Sequence, residues 1–79
     1  MAHPTDVHVG RRLREARLAK GMTQTDLGVA LGVSFQQVQK YEKGMNRIGA
    51  SRLWDICKVL DAVVVYFFEG LNRGGKEDP

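Results

Sequence analysis

A single cysteine, Cys57, and two histidines are all that this chain of 79 residues offers a disulfide or a soft metal. No intrachain disulfide can form, a four-ligand zinc site from these residue types is excluded, and a reducing, cytoplasmic setting is expected. Long apolar runs are lacking too. The longest, Ala62 to Phe68, is far too short for a bilayer core that takes about 20 residues of helix, so neither a membrane span nor a secretory leader is expected. No nucleophile–base set appears, which points away from an enzyme; no cofactor and no small-molecule ligand is expected. Charge of one sign is scarce as well. Twelve Lys and Arg against nine Asp and Glu leave +3, which permits an anionic partner without demanding one. A chain this short makes one domain at most and buries only about 60% of its unfolded surface.

What the sequence does hold is concentrated between Thr23 and Gly44. Two short helices are predicted there, joined by a turn at Gly32–Val33, and each opens on a cap signal. Thr23 with Asp26 is the acidic relative of a capping box, and Ser34 with Gln37 a capping box proper. Leu27, Ala30 and Leu31 fall on one face of the first helix. In the second, Val38 and Tyr41 point one way, while Phe35, Gln36, Gln37 and Lys40 can point another. Gly32 stands where a short helix must stop and turn, which favours a residue that tolerates positive φ. This is the plan of a helix-turn-helix whose second helix offers an amide-rich face to a DNA major groove.

Around this segment, a first helix is predicted from near Asp6 or Val7 to Lys20, with Val9, Leu13, Ala16 and Leu18 as its apolar positions and Gly21 as its stop. Residues 1–5 are expected to be a flexible arm, 6–70 the domain, and 71–79 a disordered tail. A fourth helix over 50–60 carries Leu53, Ile56, Cys57 and Leu60 as one stripe, with Cys57 as a small core residue. The run Ala62–Phe68 has the composition of a strand, but no partner strand exists for it, so context favours a fifth helix.

The stretch Arg-Leu-Arg-Glu-Ala-Arg-Leu-Ala-Lys-Gly-Met-Thr-Gln at 12–24, Gly32-Val33-Ser34 followed by Val38, Tyr41, Glu42 and Gly44, the loop Asn46-Arg47-Ile48 and the pair Leu53/Ile56 together resemble the lambda-repressor-like (Xre-type) helix-turn-helix family over about residues 7 to 70. The resemblance implies an all-α fold of five short helices. It implies a sequence-specific, double-stranded DNA-binding transcriptional regulator, a repressor acting as a homodimer on a palindromic operator, in a bacterial or phage setting and associated with the nucleoid. The chain departs from the family at Asp61, where glycine is usual, and at Val63, where a capping residue is usual; Asp61 is then an alternative cap for the fifth helix.

Chemistry at single positions sharpens this expectation. Gln36 and Gln37 can bond bidentately to adenine, Lys40 can donate to guanine, and Phe35 can meet a thymine methyl or instead pack on the second helix. Of these, Phe35, Gln36 and Lys40 match the family's base-contacting positions. Gln24, Ser34, Lys43, Asn46 and Arg47 are the expected phosphate contacts, with capping as the competing role for Ser34. Arg11, Arg12 and Arg14 are either an anion-facing patch or a solvated face, and His3 and His8 are expected to be uncommitted surface residues. Arg17 and Glu42 resemble the family's buried ion pair between the first and third helices. Val64, Val65, Tyr66 and Phe67 are expected at a dimer interface, since the family pairs through this end; Trp54 either closes the core edge or joins that patch. The rival reading is a protein-interaction module, of antitoxin or anti-activator type, whose partner is a second regulatory protein.

Overall fold

His3 sets the first helix before any apolar side chain is needed. Its Nδ1 accepts the Thr5 backbone N–H at 3.0 Å, and Pro4 follows at the first helical position, where its missing N–H costs nothing. Helix α1 therefore spans Pro4–Ala19 and takes in residues expected to belong to a flexible arm. The computed structural model describes residues 3–71; the remainder of the expected arm and the expected tail from residue 72 lie outside the described residues. Helices α2 (Gln24–Leu31), α3 (Phe35–Glu42) and α4 (Ala50–Leu60) follow, then a single 3-10 turn over Val64–Phe68. Among the described residues the fold is all-helical, with no strand. The described residues form four α-helices, and the segment expected as a fifth takes the tighter 3-10 geometry, in which runs stay short.

The two capping motifs behave differently from each other. Thr23 and Asp26 form the complete reciprocal box: Asp26 N–H donates to Thr23 Oγ1 and Thr23 N–H to Asp26 Oδ2, both at 2.9 Å. The Thr23 backbone N–H foremost, and the Thr23 side chain after it, hold the Asp26 carboxyl below its ordinary range. Ser34 accepts from Gln37 N–H at 3.1 Å, but the reciprocal half of that box is not formed. Gly32 ends α2 at φ 74. Asp61 does not cap the last segment as the alternative reading had it; it closes α4 in the left-handed region at φ 52, adopting the conformation that glycine would supply at less cost.

Leu13, Leu27, Val38, Ile56 and Phe67 are the large, fully buried side chains, surrounded by Val9, Ala16, Leu31, Tyr41, Cys57 and Leu60. Each helix thus gives one stripe to one core. Burial pushes the Cys57 thiol up, in keeping with a packing role. Four residues depart from expectation. Leu18 and Ala30 are exposed, because the buried faces of α1 and α2 run through Leu13–Ala16–Arg17 and Leu27–Leu31. Phe67, expected at a dimer interface, is 0% exposed: the 3-10 turn directs this ring into the protein's own core and leaves Val64 and Val65 outside. His8 is buried, with Nε2 2.8 Å from the Glu69 carbonyl oxygen and Nδ1 3.0 Å from an Arg11 guanidinium nitrogen. Since arginine only donates, Nδ1 accepts, and Nε2–H is the donor to Glu69.

Gly10 decides how closely α1 meets α3. A Cβ there would fall onto the Tyr41 carbonyl oxygen and 2.8 Å from that of Glu42, so only hydrogen fits between α1 and the last turn of α3.

Candidate nucleic-acid interface

Glu42, at the end of α3, is the point where the three helices are tied together. Arg17 of α1 donates to it twice, Nε to Oε2 at 2.6 Å and Nη2 to Oε1 at 3.0 Å, while Arg17 Nη1 donates to the Met22 carbonyl at 2.9 Å. Gln24 of α2 adds a third donor, Nε2 to Oε1 at 3.0 Å. The paired side chains are only 7% and 3% exposed. A dry ion pair gains little net energy unless its remaining hydrogen-bonding groups are also satisfied, and here Met22 and Gln24 satisfy them. Gln24, expected as a phosphate contact, has its amide N–H committed inward. The first-turn backbone N–H groups of Gln24 and Thr25 have no intrahelical acceptor and remain available to an anion, although the Asp26 carboxylate shares that helix end.

With Val38, Tyr41 and Glu42 turned inward, the 3.6-residue period puts Gln36, Gln39, Lys40 and Lys43 on the opposite face of α3. All four are exposed, as is Phe35 at the start of the helix. Gln37 is only half-buried rather than exposed. Gln39 was missed in the sequence reading, yet its signal was present: it lies three residues after Gln36 and beside Lys40, opposite the Val38–Tyr41 stripe. Ser34 sits exposed at the cap with its hydroxyl accepting from Gln37 N–H. Asn46 and Arg47 are exposed on the loop after α3, and Arg47 Nε lies 3.7 Å from Asp6 Oδ2 of α1. The structure thus groups an amide-and-ammonium face with cations at its rim, on a helix locked from behind.

The arginines of α1 divide. Arg12 donates from Nε to the Tyr66 carbonyl at 2.9 Å and pairs with Glu15 and Glu69 at 3.0 and 3.1 Å. Arg11 is tied to His8. Arg12 therefore holds the C-terminal turn, a role its neighbours in sequence could not reveal, while Arg11 bonds within α1; Arg14 stays exposed. Trp54, Val63, Val64 and Val65 are exposed on α4 and the segment after it. A shallow groove is lined by Trp54, Lys58, Asp61, Val63 and Val64. Tyr66 is half-buried beneath Arg12.

Comparison with known proteins places this geometry. Residues 13–63 match the model of the family described as Helix-turn-helix. The chain is 55% identical over 73 residues to an HTH-type transcriptional regulator of Sinorhizobium medicae, a match covering 92% of this chain and 52% of that protein. It is 54% identical over 72 residues to a transcriptional regulator in the ATPase CF(0) region of Rhodospirillum rubrum, covering 91% and 67%. It spans about half to two thirds of the length of these curated relatives. Among solved structures, the restriction-modification controller protein C.AhdI of Aeromonas hydrophila superposes with a TM-score of 0.77 at 29% identity, covering 84% of this chain and all of that one.

Proposed function

Because the chain belongs to the helix-turn-helix family, whose matched relatives are bacterial transcriptional regulators and not enzymes, we propose that it binds double-stranded DNA sequence-specifically and acts as a repressor on a palindromic operator. The observation that carries this is the exposed stripe of Gln36, Gln39, Lys40 and Lys43 on a helix fixed by the Arg17–Glu42–Gln24 lock. Gln36, Gln39, Lys40 and Phe35 address base edges, with Gln37 at the margin of the same face. Lys43, Asn46 and Arg47 address phosphates, as do the start of α2 at Gln24 and the cap at Ser34. Such contacts set register, while the amides set sequence.

The protein acts as a homodimer in this reading. Trp54, Val63, Val64 and Val65 present adjoining apolar surface that an isolated small domain would not expose, and Tyr66 borders it. Phe67, buried in the core, takes no direct part in it. Two copies joined there carry two recognition helices to successive major grooves. Activity on DNA sets its place at the nucleoid of the cell, and among the described residues no helix is long and apolar enough to cross a membrane.

Selecting bound sequences from a random duplex pool at stated salt tests this directly. An inverted repeat with half-sites centred about 10 base pairs apart is the expected product. Loss of the apolar patch, by Val64→Glu, should lower affinity for that repeat far more than for one half-site. Recovery of a second regulatory protein with no enriched duplex would favour the protein-interaction module instead.

A further inference from the structure

The loop that carries Arg47 leans on an incompletely filled part of the molecule. Thr5, Asp6, Val9, Ile48, Leu53 and Phe68 line, together with Arg47, a hollow of about 140 Å³, so packing alone does not fix that side chain. The Arg47 side chain is 77% exposed. Among the described residues its one ion-pair partner is Asp6, on the first turn of α1. The separation of 3.7 Å exceeds hydrogen-bond range, so the contact is coulombic, readily exchanged for another anion.

We propose that Asp6 is a positioning residue that holds Arg47 in the free protein and competes for it with the DNA phosphate. The inference rests on the DNA-binding reading above. When phosphate takes Arg47, the Asp6 carboxylate loses its partner and is left beside a second anion, so each binding event trades one anion for another. Phosphate contacts are common to all sequences. Asp6 therefore lowers affinity for every duplex alike and sets the level of non-specific binding, without touching base choice.

Asp6 also sits where a carboxylate favours a helix N-terminus, and that role moves a different observable. Losing it lowers stability and leaves affinity unchanged or weaker, whereas losing a competitor raises affinity in a protein no more stable than before.

The test uses a fluorescent duplex of random sequence, about 30 base pairs long (ample for several binding registers). Binding by the wild type, Asp6→Asn, Arg47→Ala and the double variant is followed by anisotropy over a salt series. Asp6→Asn should bind about two- to fivefold tighter, the equilibrium equivalent of one exposed ion pair, with a salt slope steeper by up to about one. In the Arg47→Ala background the same change should lose most of that gain. If the wild type binds but Asp6→Asn does not bind tighter, or gains equally without Arg47, the inference fails alone. A wild type that binds no duplex even at low salt overturns the DNA-binding reading and this inference with it.

Discussion

Arg12 and Tyr66 are joined twice: the Arg12 Nε donates to the Tyr66 carbonyl at 2.9 Å, and its guanidinium carbon lies 3.9 Å from the centre of the Tyr66 ring. The same ring meets Phe67 edge-on at 5.2 Å. One side chain of α1 thus fixes the peptide and the ring of the residue just before the buried Phe67. That placement turns Phe67 inward and leaves Val63, Val64 and Val65 on the surface.

Arg12→Ala should cost about 1–3 kcal/mol, combining a charge-assisted hydrogen bond with a cation–π contact. Arg12→Lys should recover less than half, because an ammonium cannot stack on the ring and reach the carbonyl together. Urea unfolding measures both. A full cost for Arg12→Ala beside almost none for Arg12→Lys would show that only charge matters at this position.

Glu42→Ala strands the Arg17 charge in a dry site and should destabilise by about 3–5 kcal/mol. Replacing both partners, as Arg17→Met with Glu42→Leu, should cost less than the single change. A single-variant loss under about 0.5 kcal/mol, the level of a surface pair, would contradict the burial observed.

The Thr23–Asp26 box has a pH signature. Bonding to Thr23 depresses the folded-state pKa of Asp26 below the unfolded value. Its stabilisation is therefore complete above the ordinary carboxylate range and is lost as pH falls through the depressed value. The wild type should exceed Asp26→Asn in thermal midpoint at neutral pH, and the gap should close as the solution is acidified. A gap that widens in acid would reverse the assignment.

At the end of α4, Asp61→Gly should raise stability by about 0.5–1 kcal/mol, since glycine occupies the left-handed region without the Cβ clash. Gly10→Ala should do the opposite, by about 2 kcal/mol or more, because its methyl meets backbone that cannot yield. Thermal unfolding of the two variants side by side separates these effects.

Much of this fold was legible because its signals are local. Thr23, Gly32 and Ser34 mark element ends within a few residues of themselves, and the stripes of α3 and α4, with Leu27 and Leu31 of α2, follow from spacing. Pro4 is an equally local signal, and it puts the start of α1 two residues before the Asp6 start expected. The rest depends on partners far along the chain. His8 finds Glu69 and Arg12 finds Tyr66 across nearly the whole sequence, and Gly10 is required only because α3 crosses there. The run Val63–Phe68 is apolar throughout, so no contrast in it could show that Phe67 goes in and Val65 stays out. Gln39 was readable from helix phase, while the inward commitment of Gln24 needed the third dimension.

If the exposed face of α3 reads bases, Gln36 is the side chain whose loss must change base preference. Binding of wild type, Gln36→Ala and Arg47→Ala should be measured on the selected duplex and on every single-base variant of one half-site, at several salt concentrations. Gln36→Ala is expected to lose about 1–3 kcal/mol on the selected duplex and to become indifferent at one base pair per half-site. Arg47→Ala is expected to weaken all duplexes alike and to flatten the salt slope by about one. Two variants that weaken every duplex equally, with base preference unchanged in both, would contradict readout by this face.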